Sequence, residues 1–205
     1  CYSLSRSSVH ACNCVKCFAY CLIITAIVII LDQISKAVVV ATVAEGSLIE
    51  VIPNTFNLTY IENRGAAFGM LSEHRWIFMV ISVLAIAGIL VYLWKEKPES
   101  LWIKTTLAFI LGGGIGNMID RTFRPGVVDF IDADFFFYPV VSFEGGFSIS
   151  LEDFPIFNIA DCFITVGCVC LICYLLFVEL PREAKTEKEK KLSANAENDK
   201  ESSTN

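Results

Sequence analysis

Four long apolar stretches alternate with polar segments along the chain. They run from about Phe18 to Val43, from Trp76 to Trp94, from Leu101 to about Ile119, and from about Pro155 to Val178. A bilayer core of about 30 Å takes ~20 helical residues at ~1.5 Å each. In lipid only a helix satisfies its own backbone within one segment. The joints agree with helices. Lys95-Glu96-Lys97-Pro98-Glu99 parts the second stretch from the third, and Pro155 stands where the first turn of the fourth is expected. Residues 44–62 differ, with partly alternating β-branched and aromatic positions that predict short strands.

Composition strengthens the membrane reading. Of 205 residues, 55% are hydrophobic and 19% charged, with a mean hydropathy of +0.59, whereas soluble domains average roughly 45–50% and about 25%. A net charge of −6 and an isoelectric point near 5.0 offer no basic footprint for nucleic acid. Nine of ten lysines fall in residues 1–17, in or beside the 95–104 joint, or after residue 180, and segments 44–75 and 120–154 hold none. Arg64, Arg75, Arg121 and Arg124 dilute that bias. The lysines put both ends in the cytoplasm, which an even number of spans satisfies. The expected organisation is a cytoplasmic segment at 1–17, a four-helix membrane domain at 18–180 and a charged, disordered tail at 181–205. A cleavable signal peptide is the alternative for the first stretch, but the run is long and Asp32 and Lys36 interrupt it. The first residue, Cys1, suggests a trimmed or partial N-terminus.

Nine cysteines, with Cys14-x-x-Cys17 and Cys170-x-x-Cys173, raise a thiol oxidoreductase or an N-terminal metal cluster as alternatives. Thiol exchange with exported proteins needs cysteines on the outer side, and residues 44–154 contain none. Packing as small apolar side chains is the simpler role.

Ionisable groups inside a span are costly and mark candidate sites. Asp32 and Lys36 lie four apart, on one helical face, as an ion pair requires. In the third stretch Asn117, Asp120 and Arg121 form one stripe behind Gly112-Gly113-Gly114-Ile115-Gly116. Those glycines suit close helix approach better than a nucleotide loop. In the fourth stretch Asn158 and Asp161 share a face, with Asp161 about one and a half turns in. All these groups sit at the outer helix ends, so a bundle would gather them into one pocket. Carboxylates crowded there cannot all ionise, and a pair can act as base and acid. Spacing alone leaves both amide hydrolysis and proton-coupled transport open. Nor does it say which of Asp32, Asp120, Asp129, Asp132, Asp134, Asp153 and Asp161 pair.

Five segments carry a resemblance: Asp32-Gln33-Ile34-Ser35-Lys36, Asn63-Arg64-Gly65-Ala66-Ala67-Phe68-Gly69, Gly116-Asn117-Met118-Ile119-Asp120-Arg121, Val127-Val128-Asp129-Phe130 and Phe157-Asn158-Ile159-Ala160-Asp161. In this order, over roughly residues 18–180, they resemble the bacterial lipoprotein signal peptidases (signal peptidase II). The resemblance implies an all-α membrane protein of the bacterial inner membrane, with four transmembrane helices, a small extramembrane β-rich platform and an extended outer loop. It further implies an aspartyl endopeptidase that cuts diacylglyceryl-modified prolipoproteins on the amino side of the lipid-bearing cysteine. Asp129 and Asp161 match the family's catalytic pair. Asp32, Lys36, Asn63, Gly65, Asn117, Asp120, Arg121, Asn158 and Ala160 match positions that shape the site or hold substrate. No metal or other cofactor is implied, and the partners are the lipidated substrates and membrane lipid.

The residue chemistry is compatible. Asp129, in a loop returning to the membrane, can face Asp161 across a cleft. Three asparagines can hold a peptide backbone without adding charge. Arg121 is expected to pair with Asp120 and withdraw it from acid–base work. His10 and His74 form no HExxH pair. The departure is the connection: Asp129 and Asp161 are 161 − 129 = 32 positions apart, longer than the family pattern suggests. Its aromatic run, Phe135 to Tyr138, and Glu144-Gly145-Gly146-Phe147 are expected to form a lip over the cleft. The rivals are a proton-coupled transporter relaying through Asp32, Asp120 and Asp161, and a scaffold whose polar stripes only join helices.

Overall fold

The computed structural model describes residues 6–53, 55–65, 75–98, 100–133, 141–143, 147–149, 155–182, 185–188 and 191. Helix α1 (Arg6–Thr42) leads into strands β1 (Leu48–Ile52) and β2 (Phe56–Asn63). Helices α2 (Arg75–Glu96) and α3 (Leu101–Phe123) follow, then strand β3 (Val127–Ala133) and a hairpin of β4 (Val141–Phe143) and β5 (Phe147–Ile149). Helix α4 (Ile159–Tyr174) comes last and runs into a π-helical turn at Leu175–Glu179.

Helix α3 is the hub on which α1, α2 and α4 all pack. Its glycines make that possible. A Cβ on Gly112 would stand 2.6 Å from Val28 Cβ of α1, and one on Gly113 would strike the Ala160 carbonyl oxygen of α4. Large apolar side chains such as Leu22, Ile23, Ile27, Val80, Leu84, Val169 and Ile172 point outward, an arrangement lipid favours and water does not. By length and apolarity three helices can cross a membrane: Phe18–Thr42, Trp76–Glu96 and Ile159–Lys188. The third predicted span, α3, is not among them. Glycines, Asn117 and Lys104 dilute its apolarity, and ten of its residues are buried by the other helices.

Three strands form one antiparallel sheet in the order β1-β2-β3, with Asp129 opposite Ile61 and Val127 opposite Asn63. The strands expected in 44–62 are present. The placement of Asp129 in a loop is corrected, because it lies on β3, whose strand completes that sheet. The start of the fourth helix is corrected as well. Residues 155–158 are not helical, and Phe157 pairs with Ile131 through Phe157 N–H to Ile131 O at 3.0 Å and the reverse bond at 2.8 Å. Helix α4 therefore begins after Asn158, whose side chain caps it, and Asp161 falls in the first turn. Within the tail, the described residues 181–182, 185–188 and 191 are helical, and Lys191 and Glu187 pair one turn apart at 2.6 Å.

Two apolar clusters flank a polar layer. One holds Cys21, Leu93, Ile103, Leu107, Ala108 and Leu111 between the helices. The other holds Val39, Val43, Tyr60, Val128 and Phe130 under the sheet.

Candidate active site

The deepest charged residues among those described are Asp32, Lys36 and Asp120, each 0% exposed. Lys36 Nζ lies 2.9 Å from Asp32 Oδ2 and 2.8 Å from Asp120 Oδ2, and donates to Asn117 Oδ1 at 2.9 Å. One cation thus answers two carboxylates, as burial of charge demands. The remaining oxygens are also used. Asp32 Oδ1 accepts from the Ala160 N–H at 3.0 Å, tying α1 to the first turn of α4. Asp120 Oδ1 accepts from Gln33 Nε2 at 3.3 Å, while Oδ2, besides facing Lys36, accepts from the Val128 N–H at 3.3 Å, which fixes the entry to β3. Gly116 permits the approach, since a Cβ there would meet an Asp32 oxygen at 2.6 Å.

Beyond Asn117 the layer opens. A cavity of about 490 Å³ is lined by Asn63, Asn117, Arg121, Asp129 and Asp161 on its polar side and by Val127, Ile156, Phe157 and Val166 on its apolar side. Asp129 is brought by β3 and Asp161 by α4. Each carboxylate is held by amides. Asn158 Nδ2 donates to Asp129 Oδ1 at 2.6 Å and Asn63 Nδ2 to Asp129 Oδ2 at 2.9 Å. Asn117 Nδ2 donates to Asp161 Oδ1 at 2.7 Å, and the Asn158 N–H to Asp161 Oδ2 at 3.2 Å. Asn158 therefore touches both acids, and its Oδ1 in turn accepts from the Asp161 N–H at 3.0 Å. Burial pushes the Asp129 carboxyl up to about 7, with the nearby Asp161 charge adding to the rise and the Asn63 and Asn158 amides opposing it.

The eleven residues matched to the family's site all lie in this layer, whereas Asp132 bonds Asn57 on the sheet and Asp134 and Asp153 lie outside the described residues. Asp129, Asp161, Asn63, Gly65, Asn117 and Arg121 line the cavity. Asp32, Lys36, Asp120, Asn158 and Ala160 are fully buried around it. Gly65 donates its N–H to Asn63 Oδ1 at 3.0 Å, which sets the orientation of that amide. One pairing is corrected. Arg124, one turn beyond Asp120, takes the place expected of Arg121, with Nε 3.5 Å from Asp120 Oδ1. Arg121 instead turns to the cleft, stacks over the Phe78 ring at 5.9 Å and donates to the Asn117 carbonyl at 3.4 Å. Gln33 was missed as a site residue, although it bonds Asp32, the Gly116 carbonyl and Asp120 from within a quoted motif. Cys162 and Thr165 on the cleft wall were also missed; Thr165 follows Asp161 by four positions, the helical spacing that reveals it. Residues 66–74, and side chains of the predicted lip, lie outside the described residues. Among the described residues no group of three or more His, Cys, Asp or Glu side chains is placed to hold a metal ion.

The family model described as signal peptidase (SPase) II matches residues 24–177. The chain belongs to the signal peptidase II family. As a member it is a bacterial membrane peptidase of the lipoprotein-processing class. It is 41% identical over 145 residues to the lipoprotein signal peptidase of Streptococcus thermophilus, covering 71% of this chain and 84% of that one. It is 39% identical over 160 residues to the lipoprotein signal peptidase of Geobacillus kaustophilus, covering 78% and 95%. Two solved structures, both described as bacterial membrane enzymes determined by the in meso method, share the fold. One, at 2.3 Å resolution, has a TM-score of 0.66 at 34% identity, covering 77% of this chain and 88% of its own. The other, at 1.9 Å, has a TM-score of 0.65 at 33% identity, covering 78% and 94%.

Proposed function

We propose that this family member is an aspartyl endopeptidase that removes the signal peptide of diacylglyceryl-modified prolipoproteins, cutting on the amino side of the lipid-bearing cysteine. The observation that carries the reading is the pair of carboxyls, Asp129 and Asp161, on one cleft and joined through Asn158. Asp129, pushed up to about 7, holds a proton near neutrality. Ionised Asp161 takes a proton from water as that water attacks the scissile carbonyl carbon, and Asp129 gives its proton to the carbonyl oxygen. The gem-diol intermediate collapses as the C–N bond breaks: one of its hydroxyl protons returns to Asp129 and the amine nitrogen takes the proton held on Asp161, so both acids regain their starting states. The apolar wall of Val127, Ile156, Phe157 and Val166 suits acyl chains, while Arg121 and the asparagines present polar groups to a peptide backbone.

The same reading extends to topology. Helix α3 is a fourth span, shielded from lipid by its neighbours, and residues 18–180 form the membrane domain. Both termini face the cytoplasm. The three-stranded sheet is an extramembrane platform on the outer side, beside the cleft. The lysine distribution and the position of the cleft between the C-terminal end of α3 and the N-terminal end of α4 support this orientation.

The test uses purified protein in detergent with a lipidated and an unlipidated precursor. The wild type cuts the lipidated one alone. Asp129→Asn and Asp161→Asn each leave folded protein that cuts neither, and full activity in either variant would falsify the pairing. Loss of Asp129 function also separates this reading from a helix-lined proton path, which has no use for a carboxyl on a strand.

A further inference from the structure

A second cavity, of about 600 Å³, lies at the opposite end of the bundle. It is walled by the C-terminal end of α2, the N-terminal end of α3 and the end of α4 with its π-helical turn. Helices α2 and α4 both pack on α3, yet they make little contact with each other among the described residues. The space between them therefore opens sideways to lipid. Its inner wall is apolar, with Ile89, Leu107 and Leu171. Its rim carries two carboxylates, Glu96 and Glu179, with the Arg182 guanidinium and the Tyr92 and Tyr174 hydroxyls. The π-helical turn contributes Leu175 and Glu179 to this wall, and such turns recur at functional sites.

We propose that this groove is a binding site for a phospholipid with a primary-ammonium headgroup, phosphatidylethanolamine. The chemistry selects it. An acyl chain lies along the apolar wall between α2 and α4. The ammonium meets Glu96 and Glu179, and the phosphate meets Arg182 and a tyrosine hydroxyl. Two carboxylates against one guanidinium leave an excess negative charge, which disfavours a purely anionic headgroup. Given the orientation proposed above, the lipid belongs to the cytoplasmic leaflet. The binding itself is independent of the catalytic reading.

The experiment is native mass spectrometry of the delipidated full chain with equimolar dioleoyl phosphatidylethanolamine and dioleoyl phosphatidylglycerol. The wild type is expected to retain the ethanolamine lipid over the glycerol lipid by about fivefold, the scale of a partly exposed ion pair. The double variant E96Q/E179Q is expected to bind both equally. Gly88 supplies a second handle, because it lines the cavity and a Cβ there meets nothing within 4 Å. Gly88→Leu fills the groove and is expected to lower retention of both lipids with unchanged helicity by circular dichroism. Equal retention by the wild type, a preference for the glycerol lipid, a preference that survives in E96Q/E179Q, or undiminished retention by Gly88→Leu overturns the proposal.

Discussion

Asp32 and Asp120 on one side of Asn117, and Asp129 and Asp161 on the other, are the same chemical group in two settings. The first pair is sealed and shares the Lys36 ammonium. The second pair lines a cavity, and the side chains bonded to it are neutral asparagine amides. A full cation commits a carboxylate to one charge state, whereas an amide positions it and leaves a proton free to come and go. The difference separates the part of the layer that builds the site from the part suited to chemistry. Asn117 stands at the border, accepting from Lys36 and donating to Asp161.

The sharpest way to break that division is one isosteric change in each setting. Asp161→Asn is expected to lower turnover by about 10²–10⁴-fold, the usual worth of a general acid or base, at an unchanged melting temperature. Asp120→Asn is expected to do the reverse, lowering the melting temperature while the surviving folded enzyme still turns over. If both variants lost activity at full stability, the distinction would be wrong. Lys36→Met strands two buried carboxylates and is expected to cost about 3–5 kcal/mol, read as lost folded protein in membrane extracts. Gly113→Ala drives a methyl group into the Ala160 carbonyl, and overpacking of this kind costs roughly 1–3 kcal/mol by thermal unfolding in detergent.

The smallest effect is the most specific. Because Asp129 is neutral below about 7 and ionised above it, activity that needs its proton falls as pH rises through that value. The Asn63 bond opposes the rise of this carboxyl, so Asn63→Ala raises it further. The alkaline limb of the rate profile then moves to higher pH. A limb that stays still, or moves down, removes Asn63 from control of that proton.

Much of this division was legible in the sequence, and its failures have physical causes. The i, i+4 spacing of Asp32 and Lys36 announced their pair, and the glycine-rich stretch of α3 announced close helix contact. Helical periodicity carries such information because both partners lie on regular elements. The arginine partner of Asp120 was misread: positions one apart on a helix do not face each other, whereas i+4 does, which favours Arg124 over Arg121. The pull of the cleft and of Phe78 on Arg121 is a tertiary effect. Asp129 read as a loop residue because Val127–Ala133 becomes a strand only through its partner β2, more than sixty positions earlier. Pro155 misled in a similar way. Proline is at home in a first helical turn, but pairing of Phe157 with Ile131 holds this one in extended chain.

The bond from the Ala160 N–H to Asp32 joins positions 128 apart. A growing chain therefore carries three of its helices, and the aspartate of β3, well before the residues that close the site have been made. Until α4 arrives, Asp129 lacks the Asn158 amide and Asp161 does not yet exist, so on the proposed mechanism a half-made molecule is inactive. On the same mechanism, separately expressed halves of this protein are expected to be inactive until they associate, as a cleavage assay on the mixed halves would show.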